Sequence, residues 1–381
     1  MCFIVKPSAR ADEFDEEPFV GVIEDISNTI QGKTPDIGAR AAIVMDTVTG
    51  RILYEKNAYS KRPIASTTKI MTAIVALENG NLDDIVTVSK RAASIWGSQI
   101  NLQMGEKISL NDLMYGMMVK SGNDAAIAVA EHIGGTVENF LVMMNKKAKE
   151  IGANNSQFKS PHGLDMEGHY STAYDLAIIT RYALENPVFS EIVSTHSIGI
   201  KGRNLYNTNE MLSIYEGADG VKTGYTGLAG RCLVTSATKD NWRIISVVLN
   251  CDSRTQRAQS SKTILDYTFK NYKFYSLLSN EKIISEIPVK KGLRKNVIIV
   301  PIDDIELPLR EDEAAVIQKE IELPDILEAP VYSNVEVGKI TFYLNGKIVA
   351  STSLKTAGNA EKKLFIHYLS DVILEWCNLL R

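Results

Sequence analysis

Ser66-Thr67-Thr68-Lys69 leads into the apolar run Ile70-Met71-Thr72-Ala73-Ile74-Val75-Ala76-Leu77. Within that run Ile70, Ala73, Ile74 and Leu77 fall at i, i+3, i+4 and i+7, and Asn79-Gly80 closes it. The spacing predicts a helix with Ser66 at its head. A hydroxyl in the first helical turn faces the positive end of the helix dipole, which favours a developing anion near it. Lys69, three residues on, projects from the same face. An acylatable hydroxyl and an amine able to activate it are therefore neighbours.

Taken alone, this motif is weak. Ser-x-x-Lys also begins at Ser156, Ser236 and Ser279, in polar connections or a β-rich run, and an N-capping serine with a solvated lysine is the ordinary reading of such a pair. Two further motifs change the weight. Ser121-Gly122-Asn123-Asp124 precedes the small-residue run Ala125 to Ile133 and predicts a loop feeding a buried helix. As an isolated pattern it is a capping cluster, like Ser109-Leu110-Asn111. Gly220-Val221-Lys222-Thr223-Gly224-Tyr225-Thr226-Gly227 predicts a glycine-rich strand or turn whose backbone can approach a ligand and lend N–H groups; a surface hairpin is the bland alternative. The trio supplies a hydroxyl, its amine, a second hydroxyl and amide, and a cation beside a strand, the equipment of a serine acyl-transfer enzyme that uses lysine instead of histidine.

In this combination the chain resembles the serine-type D-alanyl-D-alanine carboxypeptidases, the low-molecular-mass penicillin-binding proteins. Arg62-Pro63-Ile64-Ala65, Pro161-His162-Gly163-Leu164-Asp165, His169-Tyr170-Ser171-Thr172-Ala173 and the stretch from Asp219 to Ala237 extend the likeness. It spans residues 35–275, with a weaker β-rich likeness to residue 358. The resemblance implies an α/β (α+β) serine β-lactamase/transpeptidase-like domain, an antiparallel sheet flanked by helices, followed by a small all-β C-terminal domain.

It also implies a mechanism. Ser66 attacks the D-Ala–D-Ala carbonyl and becomes an acyl-ester while the terminal D-Ala leaves. Lys69 must be neutral to take the Ser66 proton, although lysine ordinarily titrates near ~10.4; burial and the second cation, Lys222, both disfavour its charged form. Ser121 relays the proton to the leaving amine, and Asn123 orients Lys69 and the substrate amide. Lys222, Thr223 and Gly224 receive the substrate, with the backbone N–H groups of Ser66 and Tyr225 as the oxyanion hole. The substrate carboxylate calls for a forked cation, and Arg257, near the start of a helix from Gln256 to Asn271, matches an arginine of related enzymes. Some relatives carry an arginine where this chain has Thr208, so carboxylate binding is expected to rest on Lys222, Thr223 and Arg257, or to use Arg203. No metal or other cofactor is expected. His162, Asp165, Glu167 and His169 lack a defined ligand spacing, and loop hydrogen bonding is the expected role of the two histidines.

Composition sets the remaining bounds. The chain has 381 residues, 45% hydrophobic, with a net charge of −4, so two packed domains are expected and nucleic acid is not. The four cysteines form no obvious framework, and no disulfide is predicted. Residues 1–34 read as a polar lead-in and residues 35–275 as the catalytic domain, beginning with a hairpin around Thr47-Val48-Thr49. Trp242 to Leu249 predicts a strong strand, so the first and last strands of this domain can share one sheet. Residues 282–358 read as a small β domain with Asn345-Gly346 as a hairpin turn.

The ends bear on location. Cys2-Phe3-Ile4-Val5 is too short for a signal-peptide core, yet Ala9-Arg10-Ala11 resembles a cleavage site, which predicts a clipped leader and a mature start near Asp12. Residues 360–381 read as an amphipathic helix: Phe365, Leu369, Val372, Ile373, Trp376 and Leu380 form one stripe, His367, Asp371, Glu375 and Asn378 the other. The expected place is the outer face of the bacterial cytoplasmic membrane, the helix lying in the membrane interface; packing on protein is the alternative. The expected partners are peptidoglycan pentapeptide and β-lactams. A β-lactamase and a non-catalytic sensor on the same fold are the competing functions; no glutamate-led motif around residues 161–175 favours the former.

Overall fold

The computed structural model describes residues 34–379. The leader site expected near Asp12 and the stripe residue Leu380 lie outside them. The chain divides into two compact units, one ending at Lys270 and the other running from Asn271.

In the first unit, β1 (Ala41–Asp46) and β2 (Ile52–Lys56) form the hairpin expected around Thr47-Val48-Thr49. A 3-10 turn, Ala65–Thr68, then carries Ser66 and passes directly into α1 (Lys69–Asn79). Every residue of α1 from Lys69 to Ala76 is buried, as expected of a helix with apolar or small residues almost all round. Next come α2 (Leu110–Val119), capped by Ser109 accepting from the Asp112 N–H, and α3 (Asn123–Gly134). They are followed by α4 (Val137–Ile151) and α5 (Ala173–Leu184), capped by Thr136 and Thr172.

The last strands are β3 (Ala218–Thr226), β4 (Gly230–Lys239) and β5 (Trp242–Cys251), followed by α6 (Arg254–Asn271). The sheet is antiparallel in the order β2-β1-β5-β4-β3, with Ala41 opposite Leu249, so the first and last strands do meet. Both faces of β5 are buried, which explains its continuous apolar run. One face joins the main core with α1, α2 and α3 through Ile245, Val247 and Leu249. On the other, Ser261 of α6 donates to Thr235 of β4 at 3.1 Å and lies 3.2 Å from Ser246 of β5.

The second unit begins earlier than the sequence reading placed it. Strand Lys273–Leu278 pairs with Ile305–Leu309, and a six-stranded sheet built around the hairpin Glu336–Leu344 and Lys347–Thr356 completes the unit. Asn345 and Gly346 both take positive φ (51° and 73°), the backbone that an Asn-Gly hairpin turn requires. Ile299, Leu309, Ile340 and Leu354 lie at its core. Helix Phe365–Leu379 follows, its apolar residues Phe365, Leu369, Val372, Ile373 and Trp376 exposed. No described helix is long and apolar enough to cross a membrane.

Candidate active site

Three elements converge on one cleft lined by Ser66, Ser98, Lys120, Ser121, Asn123, Gly163, Leu164, Thr208 and Thr223 to Thr226. Ser66 comes from the turn before α1, Ser121 and Asn123 from the head of α3, and Thr223 to Tyr225 from the edge strand β3, whose Lys222 is buried and, like Lys69, not among the lining residues. Lys69 is fully buried at the start of α1. Its Nζ lies 2.8 Å from Ser66 Oγ, 2.7 Å from Asn123 Oδ1 and 2.9 Å from the His162 carbonyl oxygen. Asn123 is itself held: its side-chain amide donates to the Trp96 carbonyl at 2.9 Å and its backbone N–H to Ser98 O at 2.7 Å.

The glycine of the third motif has a steric reason. A Cβ at Gly224 would lie 2.9 Å from the Ser66 nitrogen and 3.0 Å from Ala65 Cβ. Only a bare backbone lets β3 approach the turn that carries Ser66 this closely. Lys222 is buried and donates to the Thr223 carbonyl at 3.0 Å. Thr223 Oγ1 lies 2.7 Å from Thr208 Oγ1, so the residue standing where some relatives have arginine presents a hydroxyl to the same spot.

The loop from Ser160 to Ser171 ties these parts together. Besides the His162 carbonyl on Lys69, Pro161 O accepts from Thr72 of α1 at 2.6 Å. Asp165 accepts from Thr226 Oγ1 at 2.6 Å and from the Leu228 N–H at 3.2 Å, fastening the loop to the end of β3. Both loop histidines are buried and neutral at ordinary pH. Burial pushes His162 down to about 3 and His169 down to about 4.

Arg257 is placed differently from the expectation that it binds substrate. It is fully buried and forks onto Glu210, with Nη2 2.8 and 2.7 Å from the two carboxylate oxygens and Nε 3.1 Å from Oε1. It is not among the residues lining the cleft. The planar guanidinium grips the buried carboxylate through Nε and Nη2 in charge-assisted hydrogen bonds, a partner that the sequence did not point to. Arg203 is similarly committed, bidentate on Glu106 at 2.8 Å for both contacts. The other Ser-x-x-Lys serines are structural: Ser156 donates to Asp175, Ser236 to Asp219, and Ser279 accepts from the Glu281 N–H. Cys232, Cys251 and Cys377 form no disulfide among the described residues. Among the described residues no group of three or more His, Cys, Asp or Glu side chains is arranged to hold a metal.

The D-alanyl-D-alanine carboxypeptidase family matches residues 28–253, which contain the whole of this cleft. The chain belongs to that family. The C-terminal domain of penicillin-binding protein 5 matches residues 272–362, the second unit. The chain is 36% identical to the D-alanyl-D-alanine carboxypeptidase DacF of Bacillus subtilis over 89% of its own length and 90% of that relative's. Among solved structures, penicillin-binding protein 5 of Haemophilus influenzae superposes with a TM-score of 0.75 at 32% identity, covering 87% of this chain and 99% of that one. A Streptomyces DD-transpeptidase variant matches 62% of this chain with a TM-score of 0.60 and 36% identity. The α/β fold with an added β domain, expected from the resemblance, is shared with penicillin-binding protein 5 of Haemophilus influenzae.

Ser98, Lys120, Leu164 and Thr226 join the cleft without having been singled out in the sequence. Leu164 lies inside a quoted stretch and Thr226 at the end of the third motif, so proximity to known motifs was the usable signal. Lys120, directly before Ser121, carried the same signal; Ser98 carried none, because only the fold brings it to the cleft.

Proposed function

We propose that this chain is a serine-type D-alanyl-D-alanine carboxypeptidase that removes the terminal D-Ala from peptidoglycan pentapeptide stems through an acyl-enzyme on Ser66. The observation that carries the reading is the partner set of Lys69. Its Nζ meets two carbonyl-type oxygens, of Asn123 and His162, and one hydroxyl, Ser66. The three N–H groups of an ammonium fit these oxygens too; the neutral amine that the reaction needs would use two N–H groups for the carbonyls and its lone pair for the hydroxyl proton. Full burial disfavours its ammonium form.

In the forward step the Ser66 proton passes to Lys69 as Oγ bonds to the substrate carbonyl carbon. The resulting oxyanion lies between the backbone N–H groups of Ser66 and Tyr225, which the glycine at 224 brings close. Ser121 delivers the proton to the departing D-Ala nitrogen. Water then cleaves the ester and restores Ser66. Thr223 and Thr208 line the part of the cleft suited to the substrate carboxylate, with Lys222 buried directly beside Thr223 and Arg257 held on Glu210.

Among the described residues no carboxylate lines the cleft, which speaks against a β-lactamase that deacylates through a glutamate base. β-Lactams present an acyl group to the same serine and are therefore expected to acylate it. The exposed apolar stripe of helix Phe365–Leu379 supports a place at the outer membrane face, the helix lying in the lipid interface.

The test is mass spectrometry of the full chain. Penicillin should add one acyl group at Ser66, and a pentapeptide ending in D-Ala–D-Ala should release one D-Ala. Ser66→Ala should abolish both. Adducts mapped to Ser156, Ser236 or Ser279 would refute the assignment, and a lasting drug adduct with no D-Ala release would favour a sensor.

A further inference from the structure

The peptide unit joining Ala65 to Ser66 carries two groups of interest. Its N–H belongs to Ser66 and is one of the two expected oxyanion donors; its carbonyl belongs to Ala65. Because a peptide is planar, whatever fixes the carbonyl fixes the N–H as well.

That carbonyl is held by a three-member relay. Thr68 Oγ1 donates to Ala65 O at 2.8 Å, and the same oxygen lies 2.8 Å from His169 Nε2, 101 residues away. The second ring nitrogen of His169, Nδ1, accepts the Lys159 N–H at 3.0 Å. This last contact decides the tautomer. Nδ1 has no proton, so Nε2 carries it and donates to Thr68, and the Thr68 proton is committed to Ala65 O. The direction of every hydrogen bond in the relay follows, and bonds in such a chain polarise one another.

The surroundings restrict the same peptide further. Ala65 has φ +48°, a backbone region that non-glycine residues seldom adopt. On the loop side Gly163 presses so closely that a Cβ there would lie 1.9 Å from Ala65 O. The Phe158 ring packs edge-on against the imidazole, with centroids 6.0 Å apart. His169 is thus buried, held at both nitrogens and walled by an aromatic ring.

We propose that His169 is a positioning residue for acylation: acting through Thr68, it sets the plane of the Ala65–Ser66 peptide and so the aim of the Ser66 N–H at the developing oxyanion. The inference rests on Ser66 as the acylated residue and adds what orients its backbone donor. An N–H turned away from its target loses the electrostatic stabilisation that oxyanion donors supply only when preorganised.

The test compares His169→Leu, Thr68→Val and His169→Gln with the wild type in the full chain. Leucine removes both hydrogen bonds and valine cuts the relay at its middle with little change of shape. Glutamine presents an acceptor and a donor on one carbon, as the imidazole does. The readouts are the rate constant for acylation by penicillin and the infrared carbonyl band of the acyl-ester, which moves to higher frequency when its hydrogen bonds weaken. His169→Leu and Thr68→Val should acylate about ten- to a hundredfold more slowly and show an up-shifted band. His169→Gln should recover most of both.

Wild-type rate and band in both relay-cutting variants would overturn the proposal. So would a slow variant whose band does not move, or a glutamine variant no better than leucine, since packing alone would then explain the loss. If His169→Leu does not fold, Thr68→Val decides. Absence of labelling at Ser66 in the wild type would instead remove the reading of the site on which the inference stands.

Discussion

Acidification should destabilise the folded catalytic unit through two histidines, and the size of the effect follows from their burial. An unfolded histidine titrates near ~6.5. In the folded protein burial holds His162 down to about 3 and His169 down to about 4. Between those values and ~6.5 the unfolded chain binds protons that the folded chain refuses, so stability falls as pH falls through that window. At pH 5 both folded imidazoles are still neutral, whereas the unfolded ones are almost fully charged. The loss per group is then set by the unfolded value, about 1.4 kcal/mol for each of the roughly 1.5 pH units below it. That is about 2 kcal/mol per histidine, or about 4 kcal/mol together, and almost none of it remains at pH 7.5.

Carboxylates also titrate on the acid side, so the clean measurement is a difference. His169→Gln keeps a donor and an acceptor but has no proton to gain. Whatever constant cost the substitution carries, the stability gap between variant and wild type should move in the variant's favour by about 2 kcal/mol from pH 7.5 to pH 5. Urea unfolding, followed by the fluorescence of Trp242, which is buried in the catalytic unit, reads this gap. A gap that stays constant across the pH range would show that His169 is not kept neutral by the fold, and the reasoning from burial would fail.

Other outcomes can be checked alongside it. Lys69→Arg should stop acylation by penicillin, because a guanidinium does not give up a proton and cannot serve as base, whereas Lys222→Arg keeps its charge and should retain part of the peptidase activity. Acylation of Lys69→Arg at near the wild-type rate would remove Lys69 from the role of base. Glu210→Gln leaves Arg257 without its carboxylate in a buried setting and should cost about 3–5 kcal/mol in urea unfolding. A loss below about 1 kcal/mol would mean the ion pair is not what holds Arg257. Truncation after Leu364 should release the protein from lipid vesicles in a flotation assay while hydrolysis of a short soluble peptide is unchanged. Continued flotation, or loss of peptidase activity, would point to a helix that packs on protein.

Much of this protein was legible in the chain because its signals are local. The apolar periodicity after Ser66, the hairpins at residues 47–49 and 345–346 and the capping serine and threonines depend on neighbours a few positions apart, and sequence states those directly. The three motifs were legible as a set, since their order and residue types restrict the chemistry more than any one does. The contacts that make them a site are of another kind. Lys69 reaches Asn123 and the His162 carbonyl, 54 and 93 residues away, and His169 reaches Thr68 across 101. Arg257 illustrates the limit: its residue type and helix were read from the sequence, but its commitment to Glu210, 47 residues earlier, was not. Which of several carboxylates a buried cation meets is decided by how α6 packs on the sheet, and the close approach of Gly224 to Ser66 by how β3 meets the turn that carries Ser66. Such pairings arise from packing summed over the whole fold, so no local stretch of sequence encodes them and only the tertiary structure decides them.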